Sequence, residues 1–464
     1  MSDPIQQRLD QIVKAYDIRG VSPGQLDTEV ASALGTGFAQ FVRSVEPQTV
    51  SVVIGRDMRP TGPGLVDAFS SAVLAQGLDV VDIGLASTDM LYYASGVLEM
   101  PGAMFTASHN PAEYNGIKLS LSQAAPIGAD SGLDDIKRLA AKAASDGFVE
   151  GSSLSRGVRH ERVMIDDFAT HVCSFVNIAE ARPLKVVADT ANGMGGLVVP
   201  PVFKHLPFEL EVMYGELDGT FPNHEANPLE VENLADLQKR VLETNADIGL
   251  AFDGDADRVF LVDERAEPVS GSLTTALLAK SALAHNPGAT IIHNLICSKA
   301  VPEVISENGG TPLRSRVGHS FIKAEMASSG AVFGGEHSAH YYFKDNWRAD
   351  SGLVASVLVL EQLARSGGTL SELLAPFDRY SASGEINFQV DNTSSVIEKV
   401  AKHYETRGSE PDWLDGLTID RGDWWFNLRP SNTEPLLRLN LEAPDQTEVA
   451  NRVAEVESVM ALGG

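Results

Sequence analysis

Short apolar runs alternate with stretches of helical period along most of this chain. Residues 50–54, 184–188 and 289–292 each read as a strand, followed by a polar turn and then apolar positions at helical spacing. Strands alternating with helices predict βαβ units and a largely parallel sheet. Residues 102–105, 249–252 and 330–333 are similar to one another: each begins with Gly and ends with Phe, and each leads into a polar loop. Three related α/β units, each lending one loop to a shared cleft, would explain this; chance similarity of short apolar runs is the alternative. Beyond residue 370 the pattern changes. A strand at 385–390, a helix from Ser394 to about Tyr404, strands around Trp424 and Leu437 and a final helix from Thr447 predict an α+β module. Polar stretches at 145–155 and 263–272, and Ser366-Gly-Gly368 closing a helix, suggest domains at 1–150, 151–262, 263–370 and 371–464.

Composition narrows the function classes. The chain has 464 residues and is 43% hydrophobic and 21% charged, an ordinary globular mix. Its net charge of −27 argues against a general nucleic-acid binder, which needs a basic footprint. The first residues lack an apolar signal core, and the longest apolar runs fall far short of the ~20 residues of a membrane helix. Cys173 and Cys297 stand in no metal spacing, which suggests a reduced compartment with buried thiols. A cytoplasmic protein with neither membrane nor nucleic acid as partner is expected.

Asp253-Gly-Asp-Ala-Asp-Arg258 is the most informative stretch. In an extended chain its three carboxylates would stand about 6.6 Å apart. Around a hard divalent cation the ligand oxygens lie about 2.0–2.1 Å from the metal. The segment must therefore curl, and Gly254 and Ala256 are small enough to permit it. An EF-hand needs Gly at its sixth position, where this chain has Arg258, and the flanks read as strands. A charged surface turn and a phosphatase with Asp253 as nucleophile remain alternatives.

Ser108 lies in Thr106-Ala-Ser-His-Asn-Pro111, at a strand end, with His109 beside it and Lys118 following. No Gly-x-Ser-x-Gly elbow is present, so a phosphorylated serine fits better than a hydrolase nucleophile. Its phosphate would complete the coordination of a cation held by the aspartates. In Arg429-Pro-Ser-Asn-Thr-Glu-Pro435, Arg429, Ser431, Asn432 and Thr433 offer a guanidinium fork, two hydroxyls and an amide, a phosphate cradle without metal. A hydrogen-bonded hairpin loop is the plainer reading. Tyr16 and Arg19 are a weak signal, and Arg56 and Asp57 could simply pair.

Together these loops resemble the α-D-phosphohexomutase family, in its phosphomannomutase/phosphoglucomutase branch. The resemblance covers essentially the whole chain in the family's order. It rests on Tyr16-Asp-Ile-Arg-Gly20, the Ser108 and Asp253 loops, Gly335-Glu-His-Ser-Ala-His340 and the Arg429 loop. It implies three related mixed α/β domains with helices packed on sheets, plus a C-terminal α+β domain, around a central cleft. Ser108 would be the phosphoserine and would hold Mg2+ together with Asp253, Asp255 and Asp257. Arg258 would steady the transferring group. Lys118, His109 and His319 would serve proton transfer or charge stabilisation. Glu336, Ser338 and His340 would bind the sugar, Arg429, Ser431, Asn432 and Thr433 the non-reacting phosphate, and Tyr16 and Arg19 would line the cleft.

The implied activity is interconversion of mannose 6-phosphate and mannose 1-phosphate through a hexose 1,6-bisphosphate, with glucose phosphates as further substrates. The alternatives are a phosphoglucomutase and a phosphoglucosamine mutase. The expected partners are small sugar phosphates, and the expected state is a monomer or weak homo-oligomer. Ile296 stands where some members of the family have Lys, with Lys299 as the candidate substitute, and Val317 and Asp89 stand where the family often has Thr and Pro.

Overall fold

The computed structural model describes residues 4–147, 155–178, 181–390, 392–430 and 436–461, apart from the side chains of Pro4 and His319. The chain divides into two compact units, residues 1–270 with 338–373 and residues 271–337 with 374–464.

The first unit holds two sheets. In the larger, seven-stranded sheet, the strands Ser51–Arg56, Asp79–Leu85, Gly102–Phe105 and Arg159–Glu161 run parallel. Ile18–Val21 and Tyr114–Leu121 add antiparallel pairs beside them. The strand Arg159–Glu161 comes from beyond the expected linker, whose residues 148–154, with the boundary at 150, lie outside the described residues. Helices cover this sheet. Phe38 and Phe69, from two helices, and Phe105, from a strand, form a chain of ring contacts at 5.7 and 5.3 Å.

The second sheet has five strands in the order Pro268–Val269, Val259–Val262, Ile248–Phe252, Lys185–Asp189 and Glu209–Met213. Ile248–Phe252 is buried at every position, as expected of a strand covered on both faces. It forms a hairpin with Val259–Val262 in which Phe252 pairs with Val259, so Asp253 to Arg258 is the hairpin's connection. The stretch 263–272 is ordered, and the division between the two units falls within it, after Ser270. The Asp263 carboxylate accepts from the backbone N–H of Arg265 and of Glu267, which closes a turn into the strand Pro268–Val269. The segment returning to this unit contributes the helix Gly352–Ser366, which ends at Gly367 in the left-handed conformation.

In the second unit, the strand Thr290–Asn294 pairs in parallel with Thr311–Ser315 and Phe333–Gly335. Of residues 330–333, the run similar to 102–105 and 249–252, only Phe333 lies in a strand. Gly330, at φ 71°, terminates the helix His319–Ser329, and the strand starts only at Phe333. The C-terminal sheet is antiparallel, in the order Ser381–Gln389, Leu436–Ala443, Trp425–Pro430 and Leu417–Asp420. The helices Thr393–Glu405 and Gln446–Ala461 share its apolar core through Tyr404, Phe426, Leu439 and Val456. The strand Leu417–Asp420 is the element of this module that the sequence pattern does not announce. No helix among the described residues is long and apolar enough to cross a membrane.

Candidate functional site

Ser108 sits just past the strand Gly102–Phe105 at φ 50°, a conformation that a non-glycine residue holds only when its surroundings impose it. The imposing group is Arg59. Its guanidinium donates to the carbonyls of Ser108, Asn110, Pro111 and Tyr114 at 2.9, 2.6, 2.7 and 2.9 Å. Both it and Asp57, which it pairs with at 3.2 Å, have fully buried side chains. Asp57 therefore pairs with Arg59 rather than with Arg56, which donates only to the Asp57 backbone carbonyl. Arg19 supports the same loop, donating to Asn110 Oδ1 at 2.6 Å and to Asp17 at 2.5 Å. Tyr16 is half-buried in the bend before the strand Ile18–Val21.

The aspartate loop meets Ser108 directly. The Ser108 hydroxyl donates to Asp253 Oδ2 at 2.9 Å, and Arg258 Nε donates to the same oxygen at 2.9 Å. Ala256 makes the curl, at φ 61°. Gly254 is needed for a different reason, since a Cβ there would lie 2.4 Å from the Ser108 carbonyl oxygen. Ligand oxygens of Asp253, Asp255 and Asp257 lie within 4.8 Å of one another, and all three residues are buried. Lys118 Nζ donates to Asp255 Oδ2 at 2.8 Å and to Asp257 Oδ2 at 2.6 Å. The Oδ1 atoms of Asp255 and Asp257 are buried without a hydrogen-bond partner. Buried polar oxygens without partners are costly. An all-oxygen donor set of this kind fits a hard divalent cation.

The electrostatics separate the roles open to these groups. Burial, and the neighbouring carboxylates, push Asp253 up to about 8. Burial opposes ionisation of Asp255 as well, but Lys118 outweighs it and holds that carboxyl below the usual range. Burial alone would favour a neutral Lys118; Asp255 and Asp257 instead keep it charged, far above the ordinary amine value. Burial, then Arg258 and Arg19, drive His109 well below the usual imidazole value. His109 is thus neutral, and its Nδ1 accepts from Arg258 Nη2 and stands 3.2 Å from Ser108 Oγ.

His340 Nε2 lies 3.9 Å from Asp257 Oδ1 and 4.0 Å from Asp350 Oδ2. Its Nδ1 is 3.2 Å from Ser338 Oγ. Ser108, His109, Lys118, the three aspartates, Arg258, Ser338 and His340 thus all belong to the first unit.

In the second unit, Glu336 Oε2 accepts from Asn294 Nδ2 at 3.2 Å and from Gly318 N at 3.3 Å. Cys297 is buried next to Asn294, and burial pushes its thiol up to about 12. Arg429 and Arg438 are direct cross-strand partners, and both reach Glu385, at 3.0 and 3.3 Å. Two guanidiniums facing each other repel unless an anion lies between them. Lys299 is bound to Asp420 and to the Gly422 carbonyl. Ser431, Asn432 and Thr433, and the His319 side chain, lie outside the described residues.

Sequence reasoning assigned no site role to Arg59, Thr88, Asp89, Asp350, Glu385 or Arg438, although Asp89 stood out as a departure from the family pattern. Thr88 donates to Asp255 through its hydroxyl at 2.6 Å and through its N–H at 3.0 Å. Only Arg438 carried a local signal, three residues past the Arg429–Pro435 loop on the facing strand.

Four family signatures match in chain order. They are phosphoglucomutase/phosphomannomutase alpha/beta/alpha domain I over residues 10–146, domain II over 165–267, domain III over 270–380 and the C-terminal domain over 385–459. A Xanthomonas campestris protein named as phosphohexose mutases is 39% identical over 450 residues, covering 96% of this chain and 98% of its own length. A phosphomannomutase of Escherichia coli K12 is 39% identical over 439 residues, covering 93% of this chain and 94% of its own. A crystal structure of a phosphoglucomutase/phosphomannomutase family protein from Burkholderia thailandensis superposes with a TM-score of 0.88 at 32% identity, covering 100% of this chain and 99% of that one.

Proposed function

Because the chain belongs to the phosphoglucomutase/phosphomannomutase family of phosphohexomutases, we propose that it interconverts mannose 6-phosphate and mannose 1-phosphate through a phosphoserine at Ser108. A hexose 1,6-bisphosphate is the intermediate, and glucose phosphates are further substrates. The observation that carries this reading is the buried meeting of the Ser108 hydroxyl with Asp253 and Arg258.

Ser108 gives its phosphoryl group to the free hydroxyl of a bound hexose monophosphate. The Ser–O–P bond breaks as the sugar O–P bond forms; the sugar hydroxyl gives up its proton, and the leaving serine oxygen takes one up to become again the hydroxyl that donates to Asp253 Oδ2. The bisphosphate then turns over and returns its other phosphoryl group to Ser108. Positioning and charge neutralisation supply most of the catalysis in such transfers. Arg258 offers Nη2 toward Ser108 Oγ at 3.4 Å, where charge develops on the transferring group. Lys118, held protonated by Asp255 and Asp257, contributes a positive charge rather than a base. His109, held neutral, has the protonation state of an acceptor. Asp253, Asp255 and Asp257 would hold Mg2+, with an oxygen of phosphoserine 108 as a further ligand; the ion would neutralise phosphoryl charge when bound. The family pattern would assign Arg429, Ser431, Asn432 and Thr433 to the phosphate that does not react, and Glu336, Ser338 and His340 to sugar hydroxyls. The mannose preference rests on the names of the relatives.

The test is a turnover panel with Mg2+ and a trace of hexose 1,6-bisphosphate, using mannose 1-phosphate, glucose 1-phosphate and glucosamine 1-phosphate. Mannose should be used best, or equally with glucose, and Ser108→Ala should abolish turnover of all while leaving sugar-phosphate binding intact. Preference for glucosamine would overturn the substrate assignment. Full activity of Ser108→Ala would overturn the mechanism.

A further inference from the structure

Asp89 has no part in the chemistry above, yet it is fully buried and both its oxygens are engaged. Oδ1 accepts from the hydroxyl of Ser87, and Oδ2 accepts from the hydroxyl of Ser351 at 2.6 Å. Each serine is the N-cap of a helix. Ser87 caps Thr88–Leu98 by accepting from Met90 N, and Ser351 caps Gly352–Ser366 by accepting from Val354 N. Each hydroxyl oxygen thus accepts from its own helix and spends its single proton on Asp89, so one carboxyl group ties two helix N-termini together.

Both termini bear on the aspartate loop. Thr88, next to Asp89 in the chain, holds Asp255 through its hydroxyl at 2.6 Å and its backbone N–H at 3.0 Å. Gly352, next to Ser351, packs so closely on the other side of the loop that a Cβ would meet the Arg258 carbonyl carbon at 2.8 Å and the Ala256 oxygen at 3.0 Å. Asp350, on the other side of Ser351, belongs with Asp257 and His340 to a group whose ligand atoms lie within 4.8 Å of one another. The loop is therefore held between two walls, and Asp89 is the link that fixes their separation.

We infer that Asp89 is a positioning residue for the aspartate loop, presetting Asp255 and Asp257 for a divalent cation by locking the two helix N-termini that flank them. This rests on the reading that the loop holds Mg2+. An amide at position 89 keeps the shape but can accept from only one of the two serines through its oxygen, since its nitrogen is a donor. One wall is then released, and the carboxylates must be ordered by the ion itself.

The test is calorimetric titration of the full-length protein with Mg2+ alone, beside thermal unfolding and the Mg2+ dependence of turnover. Asp89→Asn should weaken Mg2+ binding at least fivefold and raise the half-saturating Mg2+ for turnover by the same factor. At saturating Mg2+, the KM for the sugar phosphate should stay within twofold. Ser351→Ala should act in the same direction and Ser351→Thr, which keeps the hydroxyl, should restore wild-type affinity; this pair carries the test if Asp89→Asn does not fold. A lowered unfolding temperature with unchanged Mg2+ affinity would overturn the inference and leave Asp89 a purely structural residue. Failure of the unaltered protein to bind Mg2+ would overturn the metal reading, and the inference with it.

Discussion

Arg59 sets the stereochemistry of Ser108 without touching its hydroxyl. One guanidinium gathers four carbonyls of the loop, and a fully buried carboxylate balances its charge. Lysine would keep the charge, but its point-like ammonium cannot reproduce the planar fork. Arg59→Lys should therefore fold, and its kcat should fall by about 100-fold, the cost expected for a misplacement of about 1 Å. Arg59→Ala should also lose about 3–5 kcal/mol of stability, because it leaves Asp57 buried and unpaired. Steady-state kinetics and chemical denaturation check both, and a fully active Arg59→Lys would contradict the role. In the sequence this residue looks like any charged side chain before a proline. A buried charge and a solvated one are written with the same letter, which is why the burial of Arg59 and Asp89 was not legible. The clustering of Asp253, Asp255 and Asp257 was, because all three lie in one short hairpin connection.

The hairpin that carries the aspartates shows what an element adds to its residues. Its strands Ile248–Phe252 and Val259–Val262 were readable as apolar runs, and the curl between them follows from ligand distances. The reason for Gly254 was not readable, because it lies in the approach of the Ser108 carbonyl from a distant loop. Gly254→Ala should push the two loops apart, costing about 1–3 kcal/mol as overpacking. Turnover should fall far more than thermal stability would suggest, since Ser108 and Asp253 separate. An alanine variant with unchanged kcat would show that the contact does not position the serine. Other elements resisted the sequence for a plain reason. A run of four residues such as 330–333 cannot show where a helix ends and a strand begins: the left-handed Gly330 ends the one and Phe333 starts the other. The polar stretch 263–272 does contain the division between the units, but its polarity does not show that the Asp263 carboxylate ties its first half into a turn.

At the scale of the whole molecule, the alternation of strand and helix correctly announced several α/β sheets and a final α+β module. It did not announce that residues 338–373 return to the first unit. That return brings Ser338, His340, Asp350, Ser351 and the helix Gly352–Ser366 into the unit that holds Ser108 and the aspartates. It is a long-range pairing with no local signature. The central claim is that phosphate travels through Ser108, and phosphopeptide mapping tests it most directly. The protein would be incubated with hexose 1,6-bisphosphate and Mg2+, quenched and digested, with and without hydroxylamine. The account predicts one phosphoryl group on Ser108, resistant to hydroxylamine and discharged when a hexose monophosphate is added. Hydroxylamine-labile phosphate on Asp253, or no phosphoprotein at all, would contradict it.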